Sequence, residues 1–413
     1  MKRKILAAAV FLLGAASASA GWKTEFGAED RVRAEYRSDF DFNDALRDDG
    51  WLIFQRLKLG GRATLDNYEA VVEAADLRVA NVDIPKPAQD DDLDLHQANF
   101  TVKGLLGGPF SLKVGRQELK YGKGRLVGSA PWANRYTRED AALASYKAGS
   151  LAADAFYGNR ILFDQNGWNE PNSHDALAGV YATFQKEKDG PLLDLYFFDN
   201  YDKDAPAALN RRTVGFRTSF PLGDGVTCEI EAPYQFGKAS GKKIYAGAFH
   251  LDLSRELDLG WKPRVTAIYN YASGDKDRND SVTNSFVPLY GTTHDAYGLM
   301  DFFRWQNMQE AAVNVALRPS KRLGVTAGTN FFWLAAVQDS WYDASGTKLR
   351  TKAAGAQAGP YVGQEVSLIG RYDLGGGLNA EGGCAHFFTG RYVKDTGAHD
   401  DADWAYLQLA MRI

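Results

Sequence analysis

WKTEFGAEDRVRAEYR, residues 22–37, alternates with a period of two. One parity carries Trp22, Thr24, Phe26, Ala28, Asp30, Val32, Ala34 and Tyr36; the other carries Lys23, Glu25, Gly27, Glu29, Arg31, Arg33, Glu35 and Arg37. Successive side chains of a strand point to opposite faces, so one face here is mostly apolar and the other is almost wholly charged. At helical spacing the same charges would scatter around the whole circumference. The segment is a strand.

Residues 51–65 repeat the design, with Trp51, Ile53, Leu57, Leu59, Ala63 and Leu65 opposed to Arg56, Lys58 and Arg62. Near the end, Val366, Leu368 and Tyr372 oppose Glu365, Ser367 and Arg371, and the last segment sets Ala405, Leu407, Leu409, Met411 and Ile413 against Tyr406, Gln408 and Arg412. About fourteen further strand-like segments lie between, separated by turns such as GGP (107–109), KDG (188–190), LGDG (222–225), RPSKR (318–322) and LGGG (374–377). Residues 68–80 are ambiguous in parity.

Lys2, Arg3 and Lys4 precede the apolar run ILAAAVFLLG (5–14) and the small residues Ala18-Ser19-Ala20. That order predicts a signal peptide over 1–20, with residues 21–413 as the mature domain. The apolar run falls short of the roughly 20 residues a spanning helix needs. The formal charge is −4, and losing three cations takes it to −7. Bulk attraction to nucleic acid is therefore not expected. Glycine and aromatics (42 Gly, 20 Tyr, 23 Phe, 9 Trp) run evenly along the chain, with no linker to divide it.

Two architectures use many alternating strands. A soluble sandwich buries its apolar face, whereas a membrane barrel turns that face to lipid and its polar face to a lumen. Sandwich strands average roughly 5–6 residues and membrane strands need roughly 9–11. The segments here are long. Short turns also alternate with polar excursions at 81–92, 161–174, 273–300 and 339–360. The reading is all-β: a transmembrane antiparallel barrel in a bacterial outer membrane, with sixteen strands as the smaller count. Trp51, Tyr68, Tyr157, Tyr269, Tyr271, Trp333 and Trp341 would supply its aromatic girdles. Cys228 and Cys384 are expected unpaired and lipid-facing.

The segment VGRQELKYGKGRLVGSAPWANRYTREDAALASY (114–146) resembles the signature of the bacterial alginate export family. SGDKD (273–277) with residues 286–335, beginning FVPLYGTTHDAYGLMDFFRW, is similar to that family's central region, and HFFTGRYVKDTGAHDDADWAYLQLAMRI (386–413) resembles its C-terminal end. The resemblance implies a monomeric barrel of about eighteen strands with an arginine-rich pore that passes an anionic polysaccharide; many members would move other solutes. A barrel of this kind also implies outer-membrane lipid and the barrel assembly machinery as partners.

An anion pathway suits the residues, since a planar guanidinium pairs bidentately with carboxylate. Arg31, Arg33, Arg56, Arg62, Arg217 and Arg371 fall on the polar parity of their strands. Of these, Arg56, Arg62, Arg217 and Arg371 are expected near the constriction. Arg116 shares parity with Leu112 and Val114, so a bulge at Gly115 would be needed to turn it inward. Arg125 and Lys123, in a glycine-rich turn, would fold over the pore mouth or into it. Glu29, Glu35, Glu229, Glu231 and Glu365 interleave and would keep an anion from binding too tightly.

Other chemistry finds little support. DKDRND (275–280) imitates the start of a calcium loop but has Asp280 where the glycine belongs and Phe286 where the bidentate Glu belongs. No Walker motif or zinc spacing occurs, and no Ser/His/Asp set is singled out, so neither a metal, a cofactor nor an enzymatic activity is expected. Three functions remain in contention: an anionic-polysaccharide exporter, a porin for small solutes, and a barrel enzyme or adhesin.

Overall fold

The computed structural model describes residues 21–46, 48–81, 89–165, 167–203, 208–294 and 296–413. The signal-peptide segment and most of the 81–92 excursion lie outside them. Eighteen antiparallel strands form the wall. The first six are β1 (Lys23–Ser38), β2 (Gly50–Leu65), β3 (Tyr68–Asn81), β4 (Asp91–Leu105), β5 (Phe110–Gln117) and β6 (Glu139–Ala148). Next come β7 (Leu151–Leu162), β8 (Glu170–Gln185), β9 (Leu192–Asp202), β10 (Leu209–Gly223), β11 (Val226–Ala239) and β12 (Lys242–Glu256). The last are β13 (Arg264–Ala272), β14 (Met308–Leu317), β15 (Leu323–Trp333), β16 (Tyr361–Gly375), β17 (Leu378–Thr389) and β18 (Ala402–Arg412).

Each strand pairs with its sequence neighbours, and β1 closes the ring by pairing with β18 from Glu29↔Arg412 to Ser38↔Asp403. Ala28 and Ile413 exchange two backbone hydrogen bonds at 3.0 Å below that ladder. Closure leaves no unpaired edge, which a sheet in hydrocarbon requires. The wall is inside out relative to a soluble protein. On β9, Leu195 is 45% exposed and Phe197 40%, while the alternating Asp194 and Phe198 are buried. So much contiguous apolar surface is stable only against lipid.

At one end the connections are tight. Asp224-Gly225 and Gly376-Gly377 have positive φ at both central residues, the backbone a two-residue hairpin needs, and a Cβ at Gly377 would strike the Arg412 carbonyl. At the other end lie the long segments, including 118–138, 273–307 and 334–360, which place the outside of the cell there.

Two expectations about single residues change. Cys228 and Cys384 are unpaired, but only Cys384 is exposed; Cys228 has outward parity yet is covered, lying between Phe220 and Leu253 in the cross-strand register. Trp341 does not join the girdle. It is buried among Phe42, Phe303 and Phe387. The ambiguity of 68–80 also has a cause: the inner face of β3 turns apolar near the outside, where Val79 packs with Leu52 and Phe54. Its outer face there carries the Asp76–Arg78–Asp92 pairs.

The unheated protein should migrate faster on a detergent gel than the boiled one, with a circular dichroism spectrum dominated by β-structure. After denaturation without reductant, an alkylating reagent should label both cysteines; labelling of neither would mean a bridge.

Candidate functional site: a lumen narrowed by inward loops

Eighteen strands enclose a lumen too wide for wall side chains alone to fill. Here the long external segments fold into it. Residues 118–138 follow β5, and three wall arginines hold their tip. Arg31 donates to the carbonyls of Pro131 (3.1 Å) and Trp132 (3.0 Å) and to Asn134 Oδ1 (3.2 Å). Arg33 donates to the Trp132 carbonyl at 2.8 Å and lies over the Trp132 ring, 3.6 Å from its centroid. Arg56 donates to the carbonyls of Pro131 (2.9 Å) and Ala133 (3.1 Å) and pairs with Glu29 at 2.7 Å. The far face of Trp132 stacks on His294 at 3.9 Å, and its edges meet Trp404 and Tyr406 of β18.

The glycine-rich turn within this segment docks on the opposite wall. Arg125 pairs with Glu231 (2.7 Å) and Glu229 (2.9 Å) of β11 and donates to His250 Nε2 at 2.6 Å. Because an arginine can only donate, Nε2 accepts, and His250 Nδ1–H donates to Asn270 Oδ1 at 2.6 Å. Asn270 and Asn330 then donate to the two oxygens of Glu310, both at 2.6 Å. A hydrogen-bonded chain thus runs along the inner wall from β11 to β15. Tyr121 covers the aromatic inner face of β7 to β9, 5.2 Å from Phe156 and 4.8 Å from Tyr181.

A second inward segment, 273–307, is tied to the first through backbone. Gly128 N–H donates to the Tyr290 carbonyl, Tyr290 N–H to Leu126, and Thr292 N–H to Gly124, at 2.8–3.0 Å. Such close approach explains the glycines: a Cβ at Gly291 would collide with the Arg125 carbonyl, and one at Gly128 with the Gly124 carbonyl and Thr292 Oγ1. Lower down, Glu365 of β16 accepts the N–H groups of Leu299 (2.6 Å) and Met300 (3.2 Å). Phe302, Phe303 and Trp305 then pack with Phe332, Trp341 and Phe387 into an aromatic core inside the barrel. In DKDRND, Asp275, Asp277 and Asp280 cap backbone N–H groups two residues on, and Arg278 pairs with Asp339 at 3.2 Å. The short stretch works as a turn.

The sequence-selected arginines therefore part company. Arg31, Arg33 and Arg56 are buried against the inward loop, and Arg125, within that loop, is buried against the wall. Arg217 is buried between Asp194 (2.6 Å) and Glu229 (2.8 Å). Arg116 is spent on a fork to Asp140 (2.9 and 3.1 Å); the register runs through Gly115 without an extra residue, although Gly115 itself takes φ 119°. Only Arg62 and Arg371 are exposed, both toward the periplasmic end. Arg371 pairs with Glu381 and lines a vestibule of about 540 Å³ with Arg318, Lys321, Arg322 and Arg412.

Outside, a cavity of about 620 Å³ opens above the tied loops. Arg33, Arg37, Arg135, Arg160 and Arg304 line it against two acids, Asp301 and Asp343. Four of these arginines escaped the sequence reading: Arg37 was seen only as a strand residue, and Arg135, Arg160 and Arg304 sit in loops or at a strand end, where parity carries no information. Trp132 lay inside the family-like block, without any signal of its central place.

Replacing Gly291 by Ala should free the two inward segments from one another and give larger, noisier single-channel currents, with the gel shift of the barrel retained. Arg56→Ala should destabilise the fold by about 1.5–3 kcal/mol, because it leaves Glu29 with Arg412 (2.9 Å) as its remaining close partner and releases two loop carbonyls; a shift in the heating temperature at which the fast-migrating band is lost would read this.

The model of a family described as alginate export matches residues 22–406. Among solved structures, OccK2 (OpdF) of Pseudomonas aeruginosa is similar with a TM-score of 0.68 at 13% identity, over 95% of this chain and 99% of that one. The same protein in complex with glucuronate gives 0.66 at 13% identity, with the same coverage. OpdK of Pseudomonas aeruginosa with vanillate gives 0.63 at 12%, over 94% of this chain and 98% of that one. At such identities the likeness speaks for the fold alone. Among curated proteins, no sequence matches the chain. The family match spans nearly the whole barrel: the chain belongs to the alginate export family, as a bacterial outer-membrane β-barrel.

Proposed function

We infer that this barrel is a passive pore for small anionic solutes. One observation carries the reading: an external cavity of about 620 Å³ lined by five arginines and two aspartates. That volume lies within the range of roughly 300–1,000 Å³ typical of small-molecule sites. Local field decides selectivity in a narrow passage with low-dielectric walls, so an acidic chain can still prefer anions. The charges deeper in the wall are already paired with loops, which leaves them to shape the passage rather than to hold a solute.

Export of an anionic polysaccharide is the second reading, favoured by the family and by the basic periplasmic vestibule around Arg371. A polymer must thread the full length of the lumen, which requires the tied loops to part. Each barrel would conduct on its own in either case, since the constriction is built from one chain.

In planar bilayers the wild-type reversal potential should indicate anion preference, and the preference should fall in high salt as screening shortens to roughly 3 Å at 1 M. Liposomes carrying the protein should take up uronate monomers faster than uronate oligomers. Cation selectivity would overturn the anion pathway, and equal uptake of long oligomers would favour the polymer.

A further inference from the structure

The lipid-facing wall is interrupted on one side. Asp30 lies midway along β1 and points outward, flanked on that face by the exposed Phe26 and Val32 and set opposite Met411 of β18. Gln55 of β2 also points outward and donates from Nε2 to Asp30 Oδ1 at 3.1 Å. The polar stripe continues on β3, where Arg78 lies opposite Gln55 in the register and pairs with Asp76 (2.6 Å) and with Asp92 of β4 (2.7 Å). Around it the outward positions are apolar and exposed: Trp51, Ile53 and Leu59 on β2, Leu407 and Leu409 on β18.

The Asp30–Gln55 pair lies deep in the apolar band. Tyr36 and Trp51, with ring centroids 5.4 Å apart, mark the external edge of that band, and Phe26 and Tyr68 its periplasmic edge. Asp30 is six residues from Tyr36 and four from Phe26. A strand rises roughly 3.3 Å per residue and tilts by about 40° in such a wall, so Asp30 stands near mid-depth. Asp30 Oδ2, Gln55 Oε1 and one N–H of the Gln55 amide have no partner among the described residues. Hydrocarbon offers no water to complete them, and they carry a desolvation cost that a polar protein neighbour would remove.

Such a neighbour must present a donor and an acceptor at the same depth. A second copy of the chain does so by symmetry. Every copy crosses the membrane in one orientation, so a two-fold axis along the membrane normal sets Asp30 and Gln55 level with the same two residues of the other barrel. The spare Gln55 N–H of each copy then has the partner's Asp30 as its acceptor, and the contact is self-complementary. Small outward residues beside the pair, Ala28, Ala34, Gly61 and Ala74, let two walls approach closely. A lone barrel would leave both polar groups against lipid.

We propose that the outward face of β1 to β3 around Asp30 and Gln55 is a two-fold interface between two copies of this barrel. The pore reading does not enter the argument, and each barrel keeps its own passage.

The test uses the full-length protein in outer membranes, with Cys228→Ser and Cys384→Ser as the background. Gln55→Cys in that background should give a covalent homodimer with a short bismaleimide. Val214→Cys, at an exposed outward position of β10 across the barrel, should not. Asp30→Leu with Gln55→Leu, in the otherwise unchanged chain, should raise the dissociation constant of the dimer in mild detergent about a hundredfold, roughly tenfold for each of two hydrogen bonds to carboxylate. The gel shift checks that the double variant folds; if it does not, the two crosslinking positions carry the test alone. Absence of a homodimer at position 55 would overturn the interface, as would equal crosslinking at 55 and 214, or capture of a different polypeptide at 55. So would a folded double variant that dimerises as tightly as wild type.

Discussion

A guanidinium withdrawn from water must find hydrogen-bond acceptors, and loop carbonyls withdrawn from water must find donors. The inner wall of this barrel satisfies both needs at once. Arg31, Arg33 and Arg56 are placed on the polar parity by strand geometry, and the carbonyls of Pro131, Trp132 and Ala133 complete them. Glu365 does the converse with the N–H groups of Leu299 and Met300. Without these contacts the loops would carry unsatisfied backbone into the lumen, and the wall would carry unsatisfied charge. The narrow passage follows from that mutual satisfaction.

This arrangement explains what could be read from the chain and what could not. Alternation in 22–37 specifies strand, face and lumen together, because the period of two survives whatever packs against the strand. The tight turns were legible for the same local reason. Which lumen arginines stay free was not, since that depends on loops arriving from 100 residues away: Arg31 and Asn134 meet, as do Arg125 and Glu231. Parity found inward arginines well. It had no means of telling a loop anchor from a residue that meets solute, and it was silent about Arg160 and Arg304, whose positions depend on irregular backbone.

The aromatic core inside the barrel has the same origin. Phe156, Phe198, Phe332 and Phe387 occupy inward positions where an alternating polar pattern would expect charge. They face Tyr121, Phe302 and Phe303 from the inserted segments instead of water. The lumen is thus divided: part of its wall is a dry core, and the passage is confined to the remainder, between two basic vestibules. Confinement concentrates the field of the few charges left exposed.

Trp132 touches the two strands that close the ring. Its carbonyl and ring are held by Arg31 and Arg33 from the beginning of the chain, and its edges by Trp404 and Tyr406 from the end. Its seat therefore does not exist until β1 and β18 have joined in the correct register. A barrel still open, or closed with a slipped seam, has nowhere to put the tip of that loop. Assembly and patency are thereby coupled in time: the constriction can form only on a finished wall, and once formed it rivets the seam from within.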